Sequence, residues 1–187
     1  GGGALAPPVI PTYAASTADL NGSTQYFNAG NVCNFGNVDF CYFGWVYVNT
    51  GAADASTIMG RYGNTQTASQ TILRYRTSGT VIEFIVQGTG TTHTVNITLP
   101  SFDAWHFIYA QYDATAQEIT ISVNNGSLAT PVSHTVGINS GTVDLLLGEL
   151  TITGTQHWDG GLGFIGAMPD NLTSGEITAV YNAGNSL

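Results

Sequence analysis

Residues 39–48, DFCYFGWVYV, constrain the fold more than any other segment, because a strand formed here would have no polar face. A β-strand sends alternate side chains to opposite faces. One face would carry Phe40, Tyr42, Gly44, Val46 and Val48, and the other Cys41, Phe43, Trp45 and Tyr47. Such a strand is either central and covered on both sides, or open on one side as an aromatic shelf.

Eight further segments have strand character, being rich in β-branched or aromatic residues and bounded by turn signals. They are STQYFNAG, STIMGRYG, QTILRYRT, TVIEFIVQG, THTVNITL, AWHFIYAQYD, EITISVNNG and TVDLLLGEL. In EITISVNNG, Ile119, Ile121 and Val123 alternate with Thr120 and Ser122, and the NNG that follows favours a tight turn. No helical periodicity precedes residue 170, so the pattern predicts an all-β sandwich.

One short helix is predicted near the C-terminal end, in LTSGEITAVYNAGN. Thr173 and Glu176 have the spacing of a capping box, in which each side chain satisfies a free backbone N–H. Ile177 and Tyr181 then fall on one side, and Gly184 is placed to end the helix.

Fixed positive charge is scarce: there is no lysine, and three arginines face twelve carboxylates, giving a net charge of −9. This balance excludes a nucleic-acid partner, which needs basic residues to displace counterions, and disfavours an anionic membrane surface. No apolar run approaches the about 20 residues of a membrane span. Because only 8% of the residues are charged and amides are frequent, we expect an extracellular or virion-surface location.

Residues 1–15 are predicted to form an extended Gly/Pro-rich N-terminal arm, and residues 16–187 the sandwich domain. The arm is either a linker or a segment that docks along a neighbouring subunit of a homo-oligomer. The residues that would define it are Pro7, Pro8, Val9, Ile10 and Pro11.

Two cysteines, Cys33 and Cys41, enclose the segment NFGNVDF. They would either form a disulfide across a hairpin-like loop, which implies an oxidising location, or remain two buried thiols. Two cysteines are too few for a structural zinc site.

Four segments occur in a suggestive order: LNGSTQYFNAG, DFCYFGWVYVN, FDAWHFIYAQYDATAQEITISVNNG and LTSGEITAVYNAG. Together they resemble the laminin-G-like, concanavalin A-like lectin/glucanase superfamily over roughly residues 18–185. The resemblance implies an antiparallel two-sheet jelly-roll sandwich with one short C-terminal helix. In that architecture the strand at 39–48 is expected to be central, with one face in the inter-sheet core and the other under loops or on the concave sheet.

The superfamily includes glycoside hydrolases, which need two carboxylates about 5–9 Å apart. The E-x-D-x-x-E or E-x-D-x-E pattern of its glucanases is missing, and Glu83 is predicted to pair instead with Arg74 or Arg76 on the neighbouring strand. Neither G-x-S-x-G nor H-E-x-x-H occurs. We therefore predict no catalytic residues and no enzyme activity.

Relatives in the laminin-G and pentraxin branches hold calcium with hard oxygen ligands, so the resemblance leaves calcium open as an alternative to no cofactor. The loop candidates are Asp54, Asp113, Asn125 and Asp159. No D-x-D-x-D cluster is present, and Asp113 is better placed for an Asx turn in YDATAQ. We predict no metal ligand set.

Two functions remain from these observations, with a glycoside hydrolase a distant third. The first is a non-catalytic surface recognition and assembly domain, such as a virion decoration or fibre-like protein, which contacts protein subunits through its arm and sheet surface. The second is a glycan-binding module of a secreted or cell-surface protein, using flat apolar faces for stacking. The ligand-contacting candidates are Tyr62, Tyr75, Trp105, Trp158, His157 and Asp159.

Overall fold

The computed structural model describes residues 17–63, 70–139, 141–150 and 156–184, so the predicted arm lies outside the described residues. Within these ranges the chain forms twelve strands and one helix. The elements are β1 (Thr17–Asn21), β2 (Phe27–Asn28), β3 (Phe40–Val48), β4 (Thr57–Arg61), β5 (Thr71–Arg76), β6 (Val81–Gly88), β7 (Thr91–Thr98), β8 (Trp105–Asp113), β9 (Glu118–Val123), β10 (Val132–Ser133), β11 (Leu146–Leu147), β12 (Asp159–Met168) and α1 (Ser174–Gly184).

The strands form two six-stranded sheets. The first sheet has the order β1-β12-β3-β8-β9-β10, and the second has the order β2-β11-β4-β5-β6-β7. Every neighbouring pair is antiparallel. The predicted all-β, two-sheet sandwich with one short C-terminal helix is therefore confirmed. Among the described residues, no helix is long and apolar enough to cross a membrane.

Strand β3 is central, as predicted, because β12 and β8 pair with its two edges. Its inner face packs into the core between the sheets, where Phe40, Tyr42, Val46 and Val48 are all buried. Burial of such side chains stabilises the fold by about 1.5–3 kcal/mol each. These buried side chains form one of the two apolar faces that residues 39–48 predict.

The outer face of β3 is covered mainly by helix α1 rather than by loops. Trp45 is 5% exposed and stacks on Tyr181 of the helix, with ring centroids 5.2 Å apart. Ile177 of the helix packs into the same cluster, together with Cys41 and Phe107. An open aromatic shelf is therefore absent at Trp45, and the second apolar face of the strand is a second, smaller core.

The helix begins where the capping box predicts. The Thr173 backbone N–H donates to Glu176 Oε2 over 2.8 Å, and the Glu176 N–H donates to Thr173 Oγ1 over 3.3 Å. The helix has 11 residues, about three turns, and its last residue is Gly184. A Cβ on Gly184 would lie 2.1 Å from Trp45 Nε1, so a side chain here would push the indole aside.

The two cysteines are free thiols, so the disulfide alternative is wrong. Cys33 packs against the inter-sheet core, whereas Cys41 lies on the opposite face of the first sheet, beneath α1. The first sheet therefore separates the two sulfurs. Burial raises the pKa of the Cys41 thiol to about 11, which keeps it protonated.

A pair of histidines joins the two sheets at one edge. His93 Nδ1 on β7 lies 2.8 Å from Nδ1 of the fully buried His134, which follows β10. Because His134 Nε2 contacts the Gly137 carbonyl over 2.9 Å, it must donate there, so Nδ1 of neutral His134 accepts from His93. Protonation of His134 occupies this Nδ1 acceptor, so the hydrogen bond donated by His93 is lost.

Acid is expected to weaken this contact. Burial lowers the pKa of His134 below its ordinary value of about 6.5, so the unfolded chain binds this proton more readily. The contribution of the pair is fully present above about pH 6.5 and is lost as the pH falls through the lowered pKa, at roughly the 0.5–1.5 kcal/mol of a hydrogen bond. Melting temperatures of the wild type and His134→Gln between pH 4.5 and 7.5 check this. Parallel curves for the two proteins would contradict it.

Candidate functional site

A groove of about 510 Å³ lies on the outer face of the first sheet, beside α1. We call it the polar groove. Its strand side is formed by Asp39, Gln111, Asp113 and Ser122, its loop side by Asn125–Leu128, and its helix side by Asp170–Leu172, Ser174, Ile177 and Thr178. The lining thus combines amide, hydroxyl and carboxylate groups with a few aliphatic ones.

The groove begins where the outward-facing residues of β8 change from aromatic to polar. Phe107 and Tyr109 on this face pack into the small core under the helix, whereas Gln111 and Asp113, two and four residues further on, line the groove. The Tyr109 hydroxyl donates to Gln111 Oε1 over 2.7 Å. This bond holds the Gln111 side chain, which lines the groove.

Hydrogen bonds across the groove hold its walls together. Asn125 Nδ2 of the β9–β10 loop donates to Thr178 Oγ1 on the helix over 3.1 Å. At the other end, Asn171 Nδ2 donates to the Tyr112 carbonyl over 3.0 Å, and the Leu172 N–H donates to the Tyr109 hydroxyl over 3.0 Å. The walls are therefore fixed by the protein itself, which lowers the entropy lost when a ligand binds.

The loop wall is set by the NNG turn that the sequence predicts. Asn124 and Asn125 have φ of 53° and 56°, a left-handed conformation that asparagine tolerates better than most residues. Asn124 Oδ1 accepts the Phe107 N–H over 3.0 Å, which ties the turn to β8. The turn places the Asn125 amide against the helix.

The electrostatics of the groove are neutral to acidic. Burial raises the pKa of Tyr109, and its hydroxyl stays protonated. Asp39, Asp113 and Asp170 line the walls, and none of the three arginines does. Asp39 accepts the Ala114 N–H over 2.7 Å and Asp170 the Asn171 N–H over 2.8 Å, so both are held in place by backbone groups.

Two of the six predicted ligand contacts are wrong. Tyr75 is 2% exposed and Trp158 is completely buried, and both belong to the core between the sheets. The Trp158 indole N–H donates to the Gly161 carbonyl over 3.2 Å. Neither ring can stack on a sugar, because the second face of each is occupied by protein.

The other four candidates are separated in space. Tyr62 packs on the outer face of the second sheet against Ile72 and Ile85, whereas Trp105 is half-buried against Tyr47 on the first sheet. Asp159 accepts Asn49 Nδ2 over 2.7 Å, and His157 is half-buried. These side chains line neither side of the polar groove.

Two of the calcium candidates, Asp113 and Asn125, line the polar groove, whereas Asp54 and Asp159 lie elsewhere. Asp113 accepts the N–H groups of Thr115 and Ala116 over 2.9 and 2.7 Å, which confirms the predicted Asx turn. Asp54 accepts from Arg76 over 3.1 Å. In the described part of the chain no three His, Cys, Asp or Glu side chains are grouped so that they could hold a metal ion.

Glu83, the strand carboxylate of interest for hydrolysis, forms the predicted cross-strand pair. It faces Arg74 in the register of β5 and β6, and its Oε2 lies 3.0 Å from Arg74 Nε. This pair lies on the second sheet, and neither residue lines the polar groove.

Sequence reasoning missed Gln111, Ser122 and Asp170, while it considered Asn125 and Asp113 for calcium. A signal was present in AWHFIYAQYD: every second residue, from Trp105 to Asp113, changes from aromatic to polar at Gln111. Such a change indicates the point along a strand where its outward side chains are no longer covered by other apolar residues. Asp170 carried no comparable signal, since its position depends on how the chain turns into the helix.

Comparison with known proteins agrees with this architecture. The family model described as the concanavalin A-like lectin/glucanases superfamily matches residues 21–178. A carbohydrate-binding module of the Ruminococcus gnavus IT-sialidase, solved with α2,6-sialyllactose, has a TM-score of 0.63 at 10% identity, covering 89% of this chain and 98% of that one. No curated protein matches the sequence.

Two further solved structures share the fold. The botulinum neurotoxin serotype G binding domain has a TM-score of 0.61 at 14% identity over 93% of this chain, which spans 47% of that domain. The heptameric SAP-like pentraxin of Limulus polyphemus has a TM-score of 0.61 at 11% identity, covering 92% and 84% of the two chains. These identities establish the fold alone, and the family match covers most of the sequence. The chain therefore belongs to the concanavalin A-like lectin/glucanases superfamily.

Proposed function

We propose that this chain is a non-catalytic extracellular recognition domain that binds glycans in the polar groove. The observation that carries the proposal is the groove itself, where the walls present amide and hydroxyl groups fixed by Asn125–Thr178 and Asn171–Tyr112 hydrogen bonds. Sugars are recognised through many hydroxyl groups, each of which donates and accepts. Preorganised amide and carboxylate partners suit that chemistry.

Two further facts support binding rather than hydrolysis. Glu83 pairs with Arg74 on the second sheet, and neither residue lines the polar groove. The Ruminococcus gnavus relative is a carbohydrate-binding module of a sialidase, a part that holds sugar. Fold likeness alone does not assign function, so the groove is where the proposal must be tested.

We expect Gln111→Ala and Asn125→Gly to weaken glycan binding about tenfold each, the equivalent of one lost hydrogen bond of about 1.4 kcal/mol. Glycine is used at Asn125 because it accepts the φ of 56° found there. A glycan array screen of the wild type supplies the ligand, and titration calorimetry measures the variants. Thr94→Ala, on the exposed side of β7 in the second sheet, is the matched control and should bind normally.

A control is needed for folding, since Gln111 also accepts the Tyr109 hydroxyl. The variants should keep the melting temperature of the wild type within a few degrees. Unchanged affinity in both variants would place the glycan site elsewhere, and an array with no binding at all would reject the proposed function.

A second function, assembly into a virion decoration or fibre-like structure, is favoured by an apolar edge. A pocket of about 290 Å³ opens between the sheets, lined by Phe27, Leu147, Leu162 and Phe164 among others, and Phe27 is 49% exposed. A subunit or the arm of a neighbour would cover this surface, as exposed apolar patches often indicate. A chain that stays monomeric in light scattering would count against assembly.

A further inference from the structure

The whole sequence contains three fixed cations besides any free N-terminus, namely Arg61, Arg74 and Arg76. Each of the three binds other groups of the protein. Arg74 and Arg76 pair with Glu83 and Asp54 at 3.0 and 3.1 Å on the second sheet. The second sheet and the polar groove lie on opposite sides of the sandwich, since the groove is on the outer face of the first.

The third cation, Arg61, is fully buried. Its guanidinium donates to Gln70 Oε1 over 2.6 Å, to Asn31 Oδ1 over 2.8 Å and to the Gly141 carbonyl over 2.9 Å. It cannot reach a ligand on the surface without breaking these bonds. No arginine of this chain lines the polar groove, where an anionic sugar would bind.

The polar groove itself carries Asp39, Asp113 and Asp170, within a protein of net charge −9. A carboxylate or sulfate on a bound sugar would sit among these three charges with no cation to balance them. Recognition of such groups normally uses arginine or lysine, whose donors match the oxygens of the anion. The hydroxyl groups of a neutral sugar meet no such penalty, because carboxylates accept hydrogen bonds from them.

We infer that the polar groove selects neutral glycans and rejects sialylated, uronic or sulfated ones. The inference rests on the proposed function and specifies its ligand class. Each groove carboxylate repels an acidic sugar, and the repulsion is screened by salt over about 8 Å at physiological ionic strength. We expect acidic derivatives to bind at least about fivefold more weakly than their neutral parents, with a smaller ratio in high salt.

The test is an array that presents neutral oligosaccharides beside acidic counterparts. Lactose is paired with α2,6-sialyllactose, chitotriose with sulfated chitotriose, and xylotriose with its glucuronic-acid-substituted form. Binding of a neutral member with loss of its acidic partner supports the inference. Equal or stronger binding of the acidic member overturns it while leaving glycan binding intact. If neither member of any pair binds, the proposed function is rejected and the inference fails with it.

A variant that adds a positive charge to the groove tests whether charge causes the selectivity. Ser127 is exposed on the loop wall, and Ser127→Lys adds one cation to the groove without touching the core. We expect it to raise the ratio of acidic to neutral binding about threefold or more, while the matched variant Ser127→Gln leaves the ratio unchanged. A ratio that is the same in both variants would show that charge does not set the selectivity.

Discussion

Replacing Arg61 by methionine should lower the free energy of unfolding by about 3–5 kcal/mol. Arg61 ends β4, is fully buried, and donates to acceptors from separate parts of the chain: Gln70, Asn31 and Gly141 at 2.6–2.9 Å, and the Val32 carbonyl. Gln70 and Gly141 are buried, and each buried acceptor left without a donor costs about 1–3 kcal/mol. The hydrogen-bond partners of the guanidinium are neutral, and burial is the main cause that lowers the pKa of Arg61, against an opposing effect of charges that include Asp144.

Thermal and urea unfolding measure this effect. Arg76→Met is the matched control, because Arg76 forms a half-exposed pair with Asp54 and should cost less than about 1 kcal/mol. Arg61→Lys should recover little, since an ammonium cannot span acceptors arranged around a planar fork. Equal stability of the Arg61→Met and Arg76→Met proteins would show that the buried guanidinium is dispensable.

Replacing Trp45 by alanine should cost about 3–5 kcal/mol and loosen α1 from the first sheet. Trp45 is 5% exposed, stacks on Tyr181 at 5.2 Å and lies 5.8 Å from the ring centroid of Phe107. Among the other helix residues, Ile177 is buried and Val180 packs against the same cluster. Removal of the indole therefore leaves a cavity at the centre of the helix contact.

The rate at which the Cys41 thiol reacts with a labelling reagent measures this loosening. The thiol is fully buried under the helix and has a pKa of about 11, so it should react with a thiol reagent slowly in the native protein. In a Cys33→Ser background, where Cys41 is the remaining thiol, Trp45→Ala should speed labelling at least about tenfold. Trp45→Phe keeps a ring on Tyr181 and should label more slowly than Trp45→Ala. Labelling unchanged by Trp45→Ala would mean that the helix is held by other contacts.

Local features were predictable because they depend on neighbours in sequence. The capping box at Thr173, the Asx turn at Asp113, the NNG turn and the alternation along β9 each need only a few residues in a row. The Arg74–Glu83 pair followed too, since adjacent strands joined by a short turn have a fixed register. In contrast, the two-residue strands β10 and β11 carry little pattern and are defined by their neighbours.

The ligand contacts were harder to predict because an aromatic residue looks the same in sequence whether it is buried or exposed. Tyr75 and Trp158 both lie in the core, whereas Trp105 is half-buried on an outer face. A tyrosine or tryptophan has enough apolar area for either place. Which place it takes depends on the sheet packed against it, and that sheet comes from a distant part of the chain.

The sequence by itself determined the all-β class, the capped helix, the scarcity of cations and the two apolar faces of β3, since composition and period-two alternation act locally. Only the tertiary structure decided what covers the second face and where a ligand would bind. Helix α1 covers Trp45. Beside the helix the outer face of the sheet stays uncovered, and the polar groove lies there, lined by Gln111 and Asn125 among others. Both outcomes depend on contacts between residues far apart in the chain, and no local pattern encodes which surfaces will meet.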